Sequence, residues 1–61
     1  MLRFGHVRRR LRSEGWTVVR RKGSHEQWKH PRRPGSVTVA GKEHAVVPPG
    51  TLKNIARQAG W

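Results

Sequence analysis

The chain has 61 residues, the size of one small domain, and it contains no cysteine. The lack of cysteine excludes disulfides, thiol catalysis and cysteine-based zinc sites. Fourteen Lys and Arg residues face three acidic residues, so the formal net charge is +11. So large a positive excess predicts a polyanionic partner, and the ten arginines among the basic residues favour nucleic acid over an acidic membrane or protein.

No apolar run approaches the roughly 18 residues of a membrane-spanning helix, and the first residues carry no signal-peptide pattern. We therefore expect a cytoplasmic protein that does not bind membranes and that forms a single domain over residues 1–61. The four histidines follow no standard zinc spacing, and the positive charge around them disfavours a cation. We expect neither a metal ion nor a small-molecule cofactor.

Residues 1–14 show the period of a helix, because Phe4, Val7 and Leu11 fall on one face. Gly15 is suited to end this helix, since glycine adopts a positive φ at low cost. Three short strands are predicted to follow, over residues 16–21, 24–30 and 36–40.

Turn residues separate these strands. Lys22-Gly23 is the expected first turn, and Pro34-Gly35 suits the centre of a type II turn before the third strand. Two details stay open at this level. The inward side chains of the first strand are either Trp16 and Val18 or Thr17 and Val19. The arginine pair Arg32-Arg33 either contacts phosphate or only keeps a turn soluble.

A second helix is predicted at the end of the chain, with Gly50 or Thr51 as its N-cap and Gly60 as its end. Its apolar stripe consists of Leu52, Ile55, Ala56 and Ala59. Trp61 is expected to fold back on the core. The predicted fold class is α+β, in the order αβββα, with a three-stranded antiparallel sheet and both helices on one face. The other face of the sheet is expected to be open to solvent or to a partner.

The second strand carries the residues of greatest chemical interest. Side chains alternate between the faces of a strand, so His25, Gln27 and Lys29 share one face and Trp28 lies on the other. If Trp28 points toward the helices, His25 lies on the open face. An imidazole can take and return a proton near neutral pH, so His25 is a possible general base. The alternative is an ordinary polar strand residue that makes one hydrogen bond.

The other histidines and the tryptophans are expected to have less specific roles. His30 precedes a proline at a strand end and is expected to be structural, whereas His6 and His44 are expected to be solvated. Trp16 and Trp28 are expected in the core rather than as platforms on which bases stack.

Two sequence elements occur together in this chain: Gly23-Ser24-His25 with a following Trp28, and Gly50-Thr51-Leu52 with a following Gln58-Ala59-Gly60. At this spacing they resemble the HicA family of bacterial toxins, and the resemblance runs over nearly the whole chain. It implies a stress-response mRNA interferase of a toxin–antitoxin system, with a fold similar to a double-stranded-RNA-binding domain. It also implies a HicB-like antitoxin, expected to be acidic, that covers the active site, and His25 as the catalytic residue.

The expected reaction is metal-independent cleavage of mRNA, with His25 as general base on the ribose 2′-OH and water or another histidine as the acid. The expected RNA-binding residues are Arg20, Lys22, Ser24 and Lys29. Two other functions stay open. A non-catalytic module that binds double-stranded RNA would use the same fold and basic face. A protein-interaction element would need the charge only to pair with an acidic partner.

Overall fold

In the computed structural model, which describes residues 2–61, two helices pack against one side of a three-stranded sheet. The elements are α1 (Phe4–Ser13), β1 (Thr17–Lys22), β2 (His25–His30), β3 (Arg33–Ala40) and α2 (Pro49–Ala59). The strands are antiparallel and lie in the order β1-β2-β3. The predicted α+β class and the meander are therefore confirmed. Neither helix is long and apolar enough to cross a membrane.

The core lies between the two helices and the sheet face that carries Trp28. Its ten apolar residues are each at most 5% exposed, and they are Phe4, Val7, Leu11, Trp16, Trp28, Val37, Val39, Val47, Ile55 and Ala59. Burying a large side chain of this kind stabilises the fold by about 1.5–3 kcal/mol. Val18 packs against the core, whereas Thr17 and Val19 are exposed. Trp16 and Val18 are thus the inward pair, and both Trp16 and Trp28 are core residues as predicted.

A buried ion pair joins α1 to the covered face of the sheet. Arg8 donates from Nε to Glu26 Oε1 at 2.7 Å, and Arg21 donates to Glu26 Oε2 at 2.6 Å. Arg8 also donates to the carbonyl oxygen of Gly41 at 2.5 Å and to Glu43 Oε1 at 3.2 Å. Burial raises the pKa of Glu26, but hydrogen bonds and charge from Arg8 and Arg21 outweigh it and hold this pKa below its ordinary value.

The third strand begins earlier than the sequence predicts. His30 pairs with Arg33, so the turn between β2 and β3 contains only two residues. The predicted type II turn at Pro34-Gly35 is wrong, because both residues lie inside β3. The strand register shifts at this point, and Gly35 takes a φ of +80°, a conformation that suits a bulge and that other residues rarely adopt.

Two further boundaries differ from the prediction by one to three residues. Gly23-Ser24 forms the turn between β1 and β2, so Ser24 precedes the second strand instead of beginning it. The N-cap of α2 is Pro48, not Gly50 or Thr51. Pro49, the first helical residue, suits its position because its fixed φ is already helical and its missing N–H needs no partner there.

Both helices are followed by a glycine with positive φ, Gly15 at +96° and Gly60 at +78°, as predicted. Beyond Gly60 the chain folds back, and Trp61 is half-buried against the core. Its indole Nε1 donates to Glu14 Oε1 at 2.6 Å. This hydrogen bond lowers the pKa of Glu14 below its ordinary value, and a hydrogen bond from Arg10 and the positive charge of Arg10 lower it further. The end of the chain is thereby attached to the end of α1.

Candidate active site

The open face of the sheet is the face that the helices leave uncovered. Cross-strand pairing puts Arg20 opposite Gln27, Lys22 opposite His25, and Gln27 opposite Thr38. Pairing and alternation together give the side chains of this face as Thr17, Arg20, Lys22, His25, Gln27, Lys29, Ser36, Thr38 and Ala40. The predicted position of His25 on the open face is therefore confirmed.

A β-bulge at Val19 decides which face Arg20 and Lys22 occupy. Val18 pairs with Trp28, and Arg20 pairs with the residue just before Trp28, so Val19 is an extra residue in β1. In an unbroken strand, Arg20 and Lys22 would lie on the same face as the inward Val18. The bulge shifts the alternation by one residue and turns both cations to the open face.

His25 lies at the start of β2, between Lys22 of β1 and Ala40 of β3. Its side chain is exposed, and none of the side-chain hydrogen bonds among residues 2–61 involves it. Both ring nitrogens are therefore available to a ligand on the open face.

Two depressions meet at His25 and Thr38. The depression on the β1 side, which we call the basic groove, has a volume of about 210 Å³ and is lined by Arg20, Lys22, His25, Glu26, Gln27 and Thr38. The depression on the α2 side, the amide groove, has a volume of about 290 Å³ and is lined by His25, Thr38, Ala40, Thr51, Asn54, Ile55 and Gln58. His25 thus separates a positively charged surface from an uncharged polar one.

The other two residues expected to bind RNA lie outside both grooves. Ser24 is exposed in the turn that precedes His25. Lys29 is exposed on the open face, but four residues along β2 from His25, which is roughly 13 Å at the rise of an extended strand. The sequence therefore identified the face of Lys29 correctly, while the grooves bring only Arg20 and Lys22 beside the imidazole.

His30 has a structural geometry, as predicted. Its Nε2 lies 2.8 Å from the carbonyl oxygen of Glu14, and its Nδ1 accepts from the backbone N–H of Arg32 at 3.0 Å. The ring also makes an edge contact with Trp16, with centroids 5.4 Å apart. The His30 side chain thus joins the end of α1 to the turn between β2 and β3.

The remaining exposed histidines lie away from the open face. His6 and His44 line a third depression near the start of α1, and the Nδ1 of His6 accepts from the backbone N–H of Arg3 at 3.2 Å. Among residues 2–61, no three His, Asp or Glu side chains are grouped as metal ligands.

Arg33 has a role that the sequence did not reveal. Its guanidinium donates to the carbonyl oxygen of Ala59 in the last turn of α2. A cation at this position satisfies a helix carbonyl and complements the helix dipole. Arg33 therefore holds α2 against the sheet, and only Arg32 of the pair lies in the turn, although both residues are exposed.

Comparison with known protein families gives a match that covers most of the chain. The model of a family described as the HicA toxin of bacterial toxin–antitoxin systems matches residues 6–61. The matched stretch contains every residue that lines the basic and amide grooves. No curated protein sequence matches the chain closely enough to count as a relative.

Proposed function

Since this match covers nearly the whole chain, the protein belongs to the HicA toxin family, and we propose that it is an endoribonuclease that cleaves mRNA. Family membership gives a toxin whose system includes an antitoxin. The proposal that RNA is the substrate is supported by the net charge of +11 and by the cations of the open face.

The proposed reaction begins when His25 takes the proton of a ribose 2′-OH. The 2′-oxygen then attacks the adjacent phosphorus, and the bond from phosphorus to the 5′-oxygen of the next nucleotide breaks. Water protonates the leaving 5′-oxygen, because His30 is held by two hydrogen bonds and His6 and His44 lie elsewhere. The products are a 2′,3′-cyclic phosphate and a 5′-OH. Proton transfer by one positioned base contributes about 10²–10⁴-fold to the rate.

In this proposal Arg20 and Lys22 bind the phosphate that reacts. Both line the basic groove together with His25, and Lys22 is the direct cross-strand neighbour of His25. Cations at this place stabilise the negative charge that grows on the phosphoryl oxygens in the transition state. Lys29, farther along the same face, contacts the RNA backbone beyond the reacting nucleotide.

What most supports His25 as the base is its association with the bulge. An irregularity at Val19 turns two cations toward an exposed imidazole that has no structural hydrogen bond. Bulges of this kind are common beside active sites, where they change the direction of side chains.

The proposed antitoxin partner is a HicB-like protein with an acidic surface. The open face carries Arg20, Lys22 and Lys29 without a carboxylate partner among residues 2–61. An acidic surface that covers this face would bury His25 and exclude RNA, and it would bind with complementary charge. We propose that the toxin acts in the cytoplasm, where mRNA is translated.

The variant His25→Ala tests the catalytic part of the proposal. It should abolish RNA cleavage and growth arrest on expression, while circular dichroism and RNA binding stay near those of the parent chain. An exposed strand residue contributes little to packing, so the stability change should stay within about 0.5 kcal/mol. His44→Ala is the matched control, because His44 is exposed but outside both grooves, and it should cleave like the parent.

A folded His25→Ala protein that still cleaves RNA would contradict the assignment of the base. A parent chain that binds double-stranded RNA tightly and cleaves no RNA would instead favour the non-catalytic binding module.

A further inference from the structure

The amide groove is lined without Lys, Arg, Asp or Glu, although the protein as a whole is strongly basic. Fourteen of the 61 residues are Lys or Arg, yet neither type lines the groove. Its apolar part is formed by the buried Ile55 and the half-buried Ala40, and its rim by hydroxyl and amide groups. The phosphates of a bound RNA should therefore lie in the basic groove, and the amide groove is left for an uncharged part of the substrate.

The rim residues of α2 are spaced so that they share one face. Thr51, Asn54 and Gln58 stand at positions i, i+3 and i+7, which is one stripe of a helix. Gln58 Oε1 accepts from the backbone N–H of Thr38 at 3.0 Å, and Asn54 Oδ1 accepts from Arg57 at 3.1 Å. Neither amide NH₂ group donates a side-chain hydrogen bond within residues 2–61, so both are left as donors to a ligand.

An apolar surface with amide donors at its rim suits a nucleobase. Single-stranded RNA is recognised by contacts to the flat faces of unstacked bases and by hydrogen bonds to their edges. The ring nitrogens and carbonyl oxygens of bases accept hydrogen bonds from such amide groups. A volume of about 290 Å³ lies just below the usual range for ligand pockets, about 300–1,000 Å³, which fits one base better than a larger ligand.

We propose that the amide groove binds the base of a nucleotide next to the scissile phosphate, with Asn54 and Gln58 donating hydrogen bonds to its edge. This assignment rests on the proposed RNA substrate and extends it from the phosphates to a base. His25 lines both grooves, so a nucleotide with its phosphate in the basic groove and its base in the amide groove passes directly across the imidazole.

Binding of short RNA tests the base site independently of cleavage. The probe is a fluorescent RNA hexamer, compared with the same hexamer that lacks the base at one position at a time. All proteins carry His25→Ala, so the RNA stays intact. Loss of the base at one position should weaken binding about 2- to 10-fold, the effect of one or two hydrogen bonds. Adding Asn54→Ala should reduce this difference between the two RNAs, because Gln58 is then the only amide donor left at the rim.

Lys53→Ala is the matched control, since Lys53 is exposed on α2 but does not line the groove. It should weaken binding of both RNAs by the same factor. Thr51→Val is a second probe of the rim, and it keeps the shape of the side chain. It should also reduce the discrimination between the two RNAs. It replaces Asn54→Ala as the test if circular dichroism shows that the Asn54 variant is misfolded.

The base site is contradicted if removal of a base has no effect at any position, or if the folded Asn54 and Thr51 variants discriminate as the parent does. Failure of the proposed cleavage has a different signature. A chain with His25 that cleaves no RNA, while the coupling between Asn54 and one base persists, would remove the catalytic assignment and support the base site.

Discussion

The two faces of the sheet differ in whether their charged side chains form ion pairs. On the covered face, the carboxylate of Glu26 is buried between Arg8 and Arg21, and burial raises its pKa less than these two partners lower it. On the open face, Arg20 and Lys22 have no acidic partner in the part of the chain that the structure describes. Eleven of the fourteen Lys and Arg residues form no ion pair within residues 2–61, and three of them, Arg20, Lys22 and Lys29, lie on the open face.

All three acidic side chains are paired with arginines that do not belong to the open face. Glu26 and Glu43 bind Arg8, and Glu14 binds Arg10 at the end of α1. We therefore expect stability to depend on the covered face and the proposed RNA binding to depend on the open face. Substitutions on the two faces should therefore have separable effects on stability and on RNA binding.

The largest effect is expected from Trp28→Ala on the covered face. Trp28 is fully buried at the centre of the core, and a change of this kind costs about 3–5 kcal/mol, enough to unfold so small a domain. Trp28→Phe is the control, because it keeps an aromatic ring and removes the buried indole N–H that has no partner. Thermal unfolding by circular dichroism should show a much smaller loss for Phe than for Ala. Equal losses would contradict the account of this core.

A smaller loss is expected from Glu26→Gln, which leaves the buried Arg8 without its principal counter-charge. Removing one partner of a buried pair costs about 3–5 kcal/mol, and the lower end applies here because Arg8 keeps its bonds to Gly41 and Glu43. The pKa of Glu26 is lowered in the folded state, so its stabilising contribution is present above the unfolded value of 4.5 and is lost as pH falls below that value.

Urea unfolding at several pH values between 3 and 7, on the order of one unit apart, measures both effects. The parent chain should lose stability below pH 4.5, and Glu26→Gln should lose less over the same range. Glu43→Gln is the control, because Glu43 is mostly exposed and should change both quantities little. An unchanged acid dependence in Glu26→Gln would show that the buried pair is not its source.

The smallest changes in stability, but clear changes in binding, are expected for Arg20→Ala and Lys22→Ala. Each should lower the slope of log affinity against log salt for RNA by about 0.7–1, the effect of one phosphate contact. Arg9→Ala, an exposed position on α1 away from the open face, should leave the slope unchanged. If Arg9→Ala has the same effect, binding follows the total charge and not the open face.

Much of the fold follows from local sequence patterns. The helical spacing of Phe4, Val7 and Leu11 and the alternation around Trp28 depend on neighbours in the chain, so the elements and the face of His25 could be predicted. Turn chemistry was less informative. Proline followed by glycine usually indicates a turn, but here Pro34-Gly35 is drawn into β3 by its pairing with β2.

The parts of the site that depend on contacts across the fold could not be predicted. The bulge at Val19 is defined only by the pairing of β1 with β2. The amide groove forms where Gln58 of α2 meets the edge of β3 at Thr38, residues that are twenty positions apart. The hydrogen bond from Arg33 to Ala59 at the end of α2 likewise joins residues that are far apart in the sequence. None of these has a signature within a short stretch of sequence.

The most direct test of the central claim, that His25 promotes attack by a ribose 2′-OH, uses a matched pair of RNAs. One is an RNA that the protein cleaves at a mapped bond, and the other has a 2′-deoxynucleotide on the 5′ side of that bond. The assay contains a chelator of divalent cations, and the ends of the products are determined by mass spectrometry. The account predicts a 2′,3′-cyclic phosphate and a 5′-OH from the first RNA and no cleavage of the second at that bond. Cleavage of the deoxy-substituted RNA at the same bond would contradict it.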